Sequence, residues 1–343
     1  MHRGPNIVRD KTRREDKAAR IPRATRKALS TRPWHGKAVA MAEIPAPPAS
    51  SALNANLTGA AFMMASMAGF ATNDALMKGF AADFGLFPSV FWRGVIALCV
   101  LAALAHRQGA FRWRPARRDR GLLVLRAGAE ALTTIAFLSA LLNLPLATAT
   151  AIVQSTPLVV TLAAALFLGE RGGWRRYLAA ALGFFGVLLI VQPSAEGISV
   201  HMVLALAAVF GITLRDLATR AMSGGAPTVF IALVAMAAIT MLGLAGSLAE
   251  GPPPLPDLRT ALGLTAAAAA LIVGFVAGIR AVRIGAFGFI APFRYSIMIW
   301  ALILGLAFFG ERPDALTLLG SAIVVGTGLF TFARERAVAR RSP

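Results

Sequence analysis

The sequence predicts an all-α polytopic membrane protein of ten transmembrane helices, arranged as two inverted five-helix repeats. Three observations support this prediction. Apolar stretches long enough to cross a bilayer recur along the chain, basic residues concentrate in alternate loops, and two short charged motifs recur at nearly one spacing. Together they predict the number of helices, their direction across the bilayer and the relation between the two halves.

The apolar content is too high for a water-soluble chain of this length. Hydrophobic residues make up 57% of the 343 residues and charged residues only 15%, whereas soluble domains carry about 25% charged residues. A helix needs about 20 residues to cross a hydrocarbon core about 30 Å thick. Spans of this kind are predicted at residues 57–80, 87–106, 121–142, 145–168, 174–192, 200–220, 227–249, 260–280, 286–309 and 315–333.

Arginines in the short loops predict the orientation of the spans. With the N-terminus in the cytoplasm, twelve arginines fall in inner loops, and only Arg259 and Arg312 fall in outer loops. Cytoplasmic loops of membrane proteins are enriched in Lys and Arg, so we expect both termini in the cytoplasm and an even number of spans. This predicts a multi-pass protein of the cell inner membrane, with the lipid bilayer as its surroundings.

Two charged motifs recur in the two halves of the membrane region. The motif at residues 73–78 returns 142 residues later at 215–220, and the Gly-Glu-Arg motif at 169–171 returns 141 residues later at 310–312. A repeat of one fold explains both offsets. Since five spans are an odd number, the second copy crosses the bilayer in the opposite direction, as in many secondary transporters.

The chain is therefore divided into three predicted regions. Residues 57–197 and 200–335 are the two five-helix repeats, and residues 1–55 are a disordered basic tail, because they lack apolar periodicity. Residues 1–40 hold twelve Lys or Arg and three acids, and Met41 is an alternative start. The net charge of +19 lies in this tail and in the loops, a pattern that orients helices, so no nucleic-acid partner is expected.

Several motifs resemble the EamA-type drug/metabolite transporter superfamily. The first repeat contains Leu-Phe-Leu-Gly-Glu at 166–170 and the second Phe-Phe-Gly-Glu at 308–311. Ala-Pro-Phe-Arg-Tyr at 291–295, Gly-Glu-Arg-Pro-Asp at 310–314 and Asn-Asp at 73–74 resemble a narrower bacterial group that includes riboflavin transporters and is similar to S-adenosylmethionine carriers. The resemblance covers nearly all of the predicted membrane region.

The resemblance implies a secondary transporter of a small organic metabolite, with riboflavin uptake as the most specific hypothesis. An S-adenosylmethionine carrier and an amino-acid or metabolite carrier or exporter are alternatives, and a channel or a membrane enzyme represents another class. The sequence contains no Walker loop, His-Glu-x-x-His motif or nucleophile elbow, so neither an enzyme nor a cofactor is expected. One cysteine and four scattered histidines predict no metal site.

Ionisable residues inside the predicted spans are the first candidate site residues, because a charge in a bilayer normally faces a cavity or a partner. They are Asp74, Arg93, Arg126, Glu130, Arg215, Asp216 and Arg294. Depth along the spans predicts an outer pair, Asp74 with Arg93. It also predicts an inner group, in which Asp216 lies with Arg126, Arg215 and Arg294. Arg126 and Glu130 are four residues apart and share a helix face.

These charges allow three interpretations. They are static salt bridges that fix helix packing, or they close opposite ends of a central cavity as gates, or Glu130 or Arg294 contacts the substrate directly. Breaking a buried pair is costly, so gating requires compensation from a bound substrate or proton.

Two proline breaks supply the remaining candidates. Pro157 and Pro292 interrupt related spans and can free a backbone carbonyl for a cavity. Gln154 and Tyr295 lie beside these breaks at an offset of 141 residues, so both are predicted to line the substrate pocket. In the alternative interpretation, the prolines only bend the helices for packing.

Glycines in the fifth and tenth spans predict close helix contacts. They are Gly183, Gly186, Gly320, Gly326 and Gly328. The contacts form within one chain or across a homodimer, so both a monomer and a homodimer agree with the sequence.

Overall fold

A computed structural model describes residues 49–160, 174–193, 198–223 and 225–339. These residues form helices and loops without strands, which confirms the all-α prediction for this part of the chain. The Gly-Glu-Arg motif at 169–171 lies outside it. The long helices are α1 (Ala49–Phe84), α2 (Leu86–Arg107), α3 (Arg117–Asn143), α4 (Leu146–Val153), α5 (Trp174–Val191), α6 (Val200–Ala221), α7 (Thr228–Glu250), α8 (Leu258–Ile284), α9 (Ser296–Phe309) and α10 (Ala315–Ala339).

Seven of the described helices are long and apolar enough to cross a membrane. They are α2, α3, α6, α7, α8, α9 with the turn before it, and α10, while α4 with its continuation to Val160 and α5 from Leu178 are shorter apolar helices. The prediction of a multi-pass membrane protein is therefore confirmed. Ten spans and their inverted arrangement stay predictions.

Large apolar side chains occupy both the interior and the outer surface. Met77 and Leu141 are fully buried, whereas Phe184, Phe210 and Phe308 are 62%, 66% and 74% exposed. Soluble monomers rarely expose apolar surface so widely. A bilayer accounts for this distribution, because hydrocarbon tails are as apolar as these side chains.

The helices pack in pairs that join distant parts of the chain. α3 packs against α6 and α7, α2 against α7 and α8, α5 against α10, and α4 against α9.

Close packing also joins α1 to α8. A Cβ built on Gly69 would lie 2.7 Å from the Ala270 carbonyl oxygen, and Ser66 Oγ donates to the Gly274 carbonyl at 2.7 Å. A side chain at Gly69 would therefore force the two helices apart.

The predicted glycine contact between α5 and α10 is present within one chain. A Cβ on Gly320 would lie 2.5 Å from the Gly186 carbonyl oxygen, so the two backbones touch. Gly183 and Gly328 also lie against side chains of neighbouring helices. The prediction is wrong for Gly326, which has no described atom within 4 Å of a built Cβ, because this position faces away from the packed side of α10.

Both predicted proline breaks occur, in different forms. α4 ends at Val153, a turn follows, and the helix resumes at Thr156 beside Pro157. The span predicted at 286–309 is interrupted at Pro292 by a change of helix type. A short turn at Phe287–Ile290 leads into a 3-10 helix at Ala291–Tyr295, and α9 begins only at Ser296. Pro292 lacks an N–H donor, so it fits the first turn of this 3-10 segment and disfavours a helix that runs through it.

Candidate functional site

The first candidate site is a group of charges between α3 and α6, here called the Glu130 cluster (Arg126, Glu130, Arg215, Asp216 and Thr219). Arg215 Nη1 donates to Glu130 Oε1 at 2.8 Å, and Arg126 Nη2 lies 3.5 Å from Glu130 Oε2. Glu130 therefore binds an arginine from each helix. The shared helix face predicted for Arg126 and Glu130 is present in the structure.

The rest of the Glu130 cluster differs from the prediction. Asp216 contacts its neighbour Arg215, with 3.0 Å between Nε and Oδ1, and forms no ion pair with Arg126 or Arg294 among the described residues. Arg126 Nε instead donates to Thr219 Oγ1 at 2.9 Å. The sequence analysis missed Thr219, although its spacing of four residues from Arg215 places it on the same helix face.

The predicted contact of Arg294 with Asp216 in the inner group is wrong. Its side chain is exposed, and no carboxylate in the described part of the chain lies within 4.0 Å of it. The prediction rested on the depth of Arg294 along its span. The 3-10 segment at Ala291–Tyr295 changes the direction in which its side chains point, so Arg294 does not reach the Glu130 cluster.

The predicted outer pair is joined through a third residue. Arg93 Nη1 donates to Asn73 Oδ1 at 3.0 Å, and Asn73 Nδ2 donates to Asp74 Oδ1 at 2.9 Å. Arg93 is only 4% exposed, and its Nε has no hydrogen-bond partner in the described part of the chain. The amide thus links the guanidinium of α2 to the carboxylate of α1, in place of the direct ion pair that was predicted.

The sequence analysis missed an ion pair between α1 and the loop that follows α9. Lys78 Nζ lies 2.6 Å from Glu311 Oε1 and also donates to the Leu144 carbonyl oxygen. Glu311 Oε2 accepts from the Leu146 N–H at 2.6 Å. We call this group the Lys78 lock (Lys78, Leu144, Leu146 and Glu311). Both charged residues lie in repeated motifs, which was the available signal.

The Lys78 lock and the Glu130 cluster lie toward opposite ends of α3. Leu144 directly follows the last residue of α3, and Arg126 lies in its first half. At about 1.5 Å per residue, the two positions are about 27 Å apart along the helix. This distance is comparable to the hydrocarbon thickness of about 30 Å.

The two predicted pocket residues lie beside the proline breaks. Gln154 is half-buried in the turn that interrupts α4. Tyr295 ends the 3-10 segment and packs against α10, where a Cβ on Gly328 would lie 1.7 Å from its Oη. The absence of a side chain at Gly328 creates the space for the tyrosine. Neither residue forms a hydrogen bond through its side chain to another described residue.

Outside the spans, Asp257 and Asp314 cap the N-termini of α8 and α10, and Asp257 Oδ1 accepts from the Thr260 N–H at 2.9 Å. Asp314 Oδ1 accepts from the Thr317 N–H at 2.8 Å, and Asp314 Oδ2 accepts from Gln192 Nε2 at 2.6 Å. Hydrogen bonds from Thr317, and then from Gln192, lower the pKa of Asp314 below its ordinary value. The described residues contain no group of three or more His, Cys, Asp or Glu that could hold a metal ion.

The chain is similar in sequence to several known transport proteins. The chain is 28% identical to the pseudopaline exporter CntI of Pseudomonas aeruginosa strain UCBPP-PA14 over 75% of this chain and 89% of that protein. It is 26% identical to a riboflavin transporter of Rhizobium johnstonii, over 73% and 82%. It is also 26% identical to an S-adenosylmethionine uptake transporter of Rickettsia conorii, over 85% and 98%.

A solved crystal structure shares the fold. It matches with a TM-score of 0.57 at 18% identity and covers 83% of this chain and 99% of the other. Residues 57–192 match the EamA-like transporter family, and the relatives named above are transporters. The resemblance inferred from the sequence motifs is thus confirmed by the family match over residues 57–192.

Proposed function

We propose that this protein is an inner-membrane secondary transporter of a small organic metabolite that works by alternating access. The observation that carries the proposal is the position of the two charged groups. The Lys78 lock and the Glu130 cluster each join residues before 197 to residues after 200, at opposite ends of α3. Such ion pairs can close one side of a central cavity while the other side opens.

The helix pairs support two inverted five-helix repeats at 57–197 and 200–335. If each helix of one half corresponds to the helix five positions later, the pairs α2–α7, α4–α9 and α5–α10 map onto themselves. The pair α3–α6 maps onto α1–α8. Every one of these contacts then agrees with one pseudo-two-fold axis, the arrangement in which many transporters place the substrate between halves.

The arginine distribution supports the orientation in this proposal. The Glu130 cluster lies toward the cytoplasm and the Lys78 lock toward the outside, with both termini cytoplasmic. Reporter fusions after Pro343 and within residues 251–257 test the topology. A cytoplasmic signal from the second fusion would contradict it.

Riboflavin uptake is the most specific substrate hypothesis, and S-adenosylmethionine and amino acids are the alternatives. The relatives include an exporter and S-adenosylmethionine uptake transporters, so both directions need measurement. Purified protein in liposomes should take up one labelled member of this panel with saturation, above empty liposomes. Arg259→Gln, a change of an exposed arginine outside both charged groups, serves as the matched active control. Uptake without saturation, together with single-channel currents, would instead indicate a channel.

A further inference from the structure

The loop between α2 and α3 concentrates positive charge. We call residues 110–120 the arginine loop; its arginines are Arg112, Arg114, Arg117, Arg118 and Arg120. All five side chains are exposed. None lies within 4.0 Å of a carboxylate in the described part of the chain. Only Arg120 has a partner there, since its Nε donates to the Pro115 carbonyl oxygen at 3.1 Å.

The acid within the arginine loop has other partners. Asp119 Oδ1 accepts from the Ser223 N–H at 3.1 Å, and Asp119 Oδ2 accepts from Ser223 Oγ at 2.6 Å. Asp119 is 6% exposed. Its carboxylate joins the start of α3 to the segment after α6 and, among the described residues, forms no ion pair within 4.0 Å with an arginine of the loop.

Aromatic contacts hold the other part of the loop in place. The rings of Trp113 and Phe111 pack edge-on against Phe230 of α7, with centroids 5.5 Å and 6.3 Å away. Ala110 is buried beneath them. The loop is therefore anchored at both ends, so less conformational freedom is lost when its arginines bind a ligand.

The arginines do not stabilise the helix that follows. Arg117, Arg118 and Arg120 lie in the first turn of α3, where the helix dipole disfavours cations. The loop lies at the end of two membrane-spanning helices, at the level where aromatic side chains meet lipid head groups. Guanidinium groups bind phosphate with two parallel hydrogen bonds.

We propose that the arginine loop is a binding site for the phosphate head groups of anionic phospholipids in the adjacent leaflet. Charge complementarity selects this ligand: clustered arginines beside a membrane helix attract anionic lipids. The site is separate from the proposed transport path and does not depend on the identity of the transported solute. It requires only that α2 and α3 span the bilayer.

The test is a titration of the purified full chain in detergent with fluorescent phosphatidylglycerol and, separately, phosphatidylcholine. The variant Arg112→Gln/Arg114→Gln removes two loop charges outside α3. Arg259→Gln/Arg312→Gln removes two exposed arginines elsewhere. Since each basic residue near an anionic surface contributes about 1 kcal/mol, we expect each loss to weaken phosphatidylglycerol binding about fivefold. The loop variant should therefore lose about 25-fold, and the control variant less than twofold.

Three results would overturn the proposal: equal binding of both lipids by the unchanged protein, equal losses in the two variants, or stronger competition by inorganic phosphate than by phosphatidylglycerol. Equal binding of both lipids would indicate that the loop arginines only orient the helices across the membrane. Circular dichroism checks that the variants are folded. Arg112→Lys/Arg114→Lys retains the charge and should recover most of the binding, which separates lost charge from a damaged loop.

Discussion

The two charged groups hold the helices together in different ways. The Lys78 lock is one ion pair whose two members also bind backbone groups, and the side chains of Lys78 and Glu311 are only 12% and 15% exposed. The Glu130 cluster spreads four charges over α3 and α6, and its charged side chains range from 16% exposed for Arg126 to 40% for Asp216. The Lys78 lock is compact and bonded to the main chain, whereas the Glu130 cluster is larger and more exposed to solvent.

This difference predicts unequal tolerance to mutation. Removing Glu311 leaves the Lys78 charge without its carboxylate and the Leu146 N–H without its acceptor, and unpaired buried polar groups are costly. Removing one member of the Glu130 cluster leaves charges that still have a neighbour of opposite sign or contact with water. We therefore expect the Lys78 lock to behave as a single unit and the Glu130 cluster to weaken gradually.

The largest effect is expected for Glu311→Ala. The substitution removes the carboxylate partner of Lys78 and the acceptor of the Leu146 N–H, so it should destabilise the protein by about 3 kcal/mol. Thermal unfolding of the purified protein in detergent measures this loss. Arg312→Gln changes the adjacent exposed residue and should have almost no effect. If both substitutions act equally, the ion pair does not lock the helices.

Glu130→Gln should have a smaller effect, about 1.5 kcal/mol. It leaves Arg126 and Arg215 without their shared carboxylate, but Arg215 keeps Asp216 and Arg126 keeps Thr219. The same unfolding experiment compares the two ends directly. A loss as large as that of Glu311→Ala would remove the distinction between a compact and a distributed group.

Asn73→Ala tests the link beside the Lys78 lock and should cost about 1 kcal/mol. The amide connects Arg93 to Asp74 on the helix that carries Lys78. Asp74→Asn keeps a hydrogen-bond acceptor at that position and should cost less. A larger loss for Asp74→Asn would show that the charge of Asp74, and not the amide bridge, stabilises this region.

The smallest effect is expected for Asp314→Asn, which weakens the cap of α10 near Glu311. The pKa of Asp314 is lowered by its hydrogen bonds, so the ionised cap stabilises the fold above the ordinary carboxyl range, at about pH 4 and higher. That contribution is lost as the pH falls through the lowered pKa. The difference in melting temperature between the variant and the unchanged protein should be constant from pH 5 to 8 and should shrink in stronger acid. A difference that grows in acid would contradict this role.

The sequence predicts local relations better than distant ones. The contact of Arg126 with Glu130 follows from a spacing of four residues on one helix, and the breaks at Pro157 and Pro292 follow from the missing N–H of proline. The Lys78–Glu311 pair joins residues that lie far apart in the chain. Their contact depends on how α1 and the loop after α9 pack, which periodicity does not determine.

The errors have the same physical origin. Arg294 was assigned to the inner group from its depth along the span, and the 3-10 segment that contains it alters the direction of its side chain. The direct Asp74–Arg93 pair was inferred from equal depth in the bilayer. Depth does not include the rotation of each helix about its axis, and this rotation places Asn73 between the two charges.

Cysteine accessibility tests the central claim, that the Lys78 lock and the Glu130 cluster close opposite sides. Thr148 and Thr133 are buried residues near these two groups, and each is replaced by cysteine in a Cys99→Ser background. The account predicts that Glu311→Gln raises labelling of Thr148→Cys from outside, and that Glu130→Gln raises labelling of Thr133→Cys from the cytoplasm. A shift of about 1.4 kcal/mol changes the population ratio tenfold. If both substitutions expose the same cysteine, or neither changes labelling while transport persists, these charges are structural and the account is wrong.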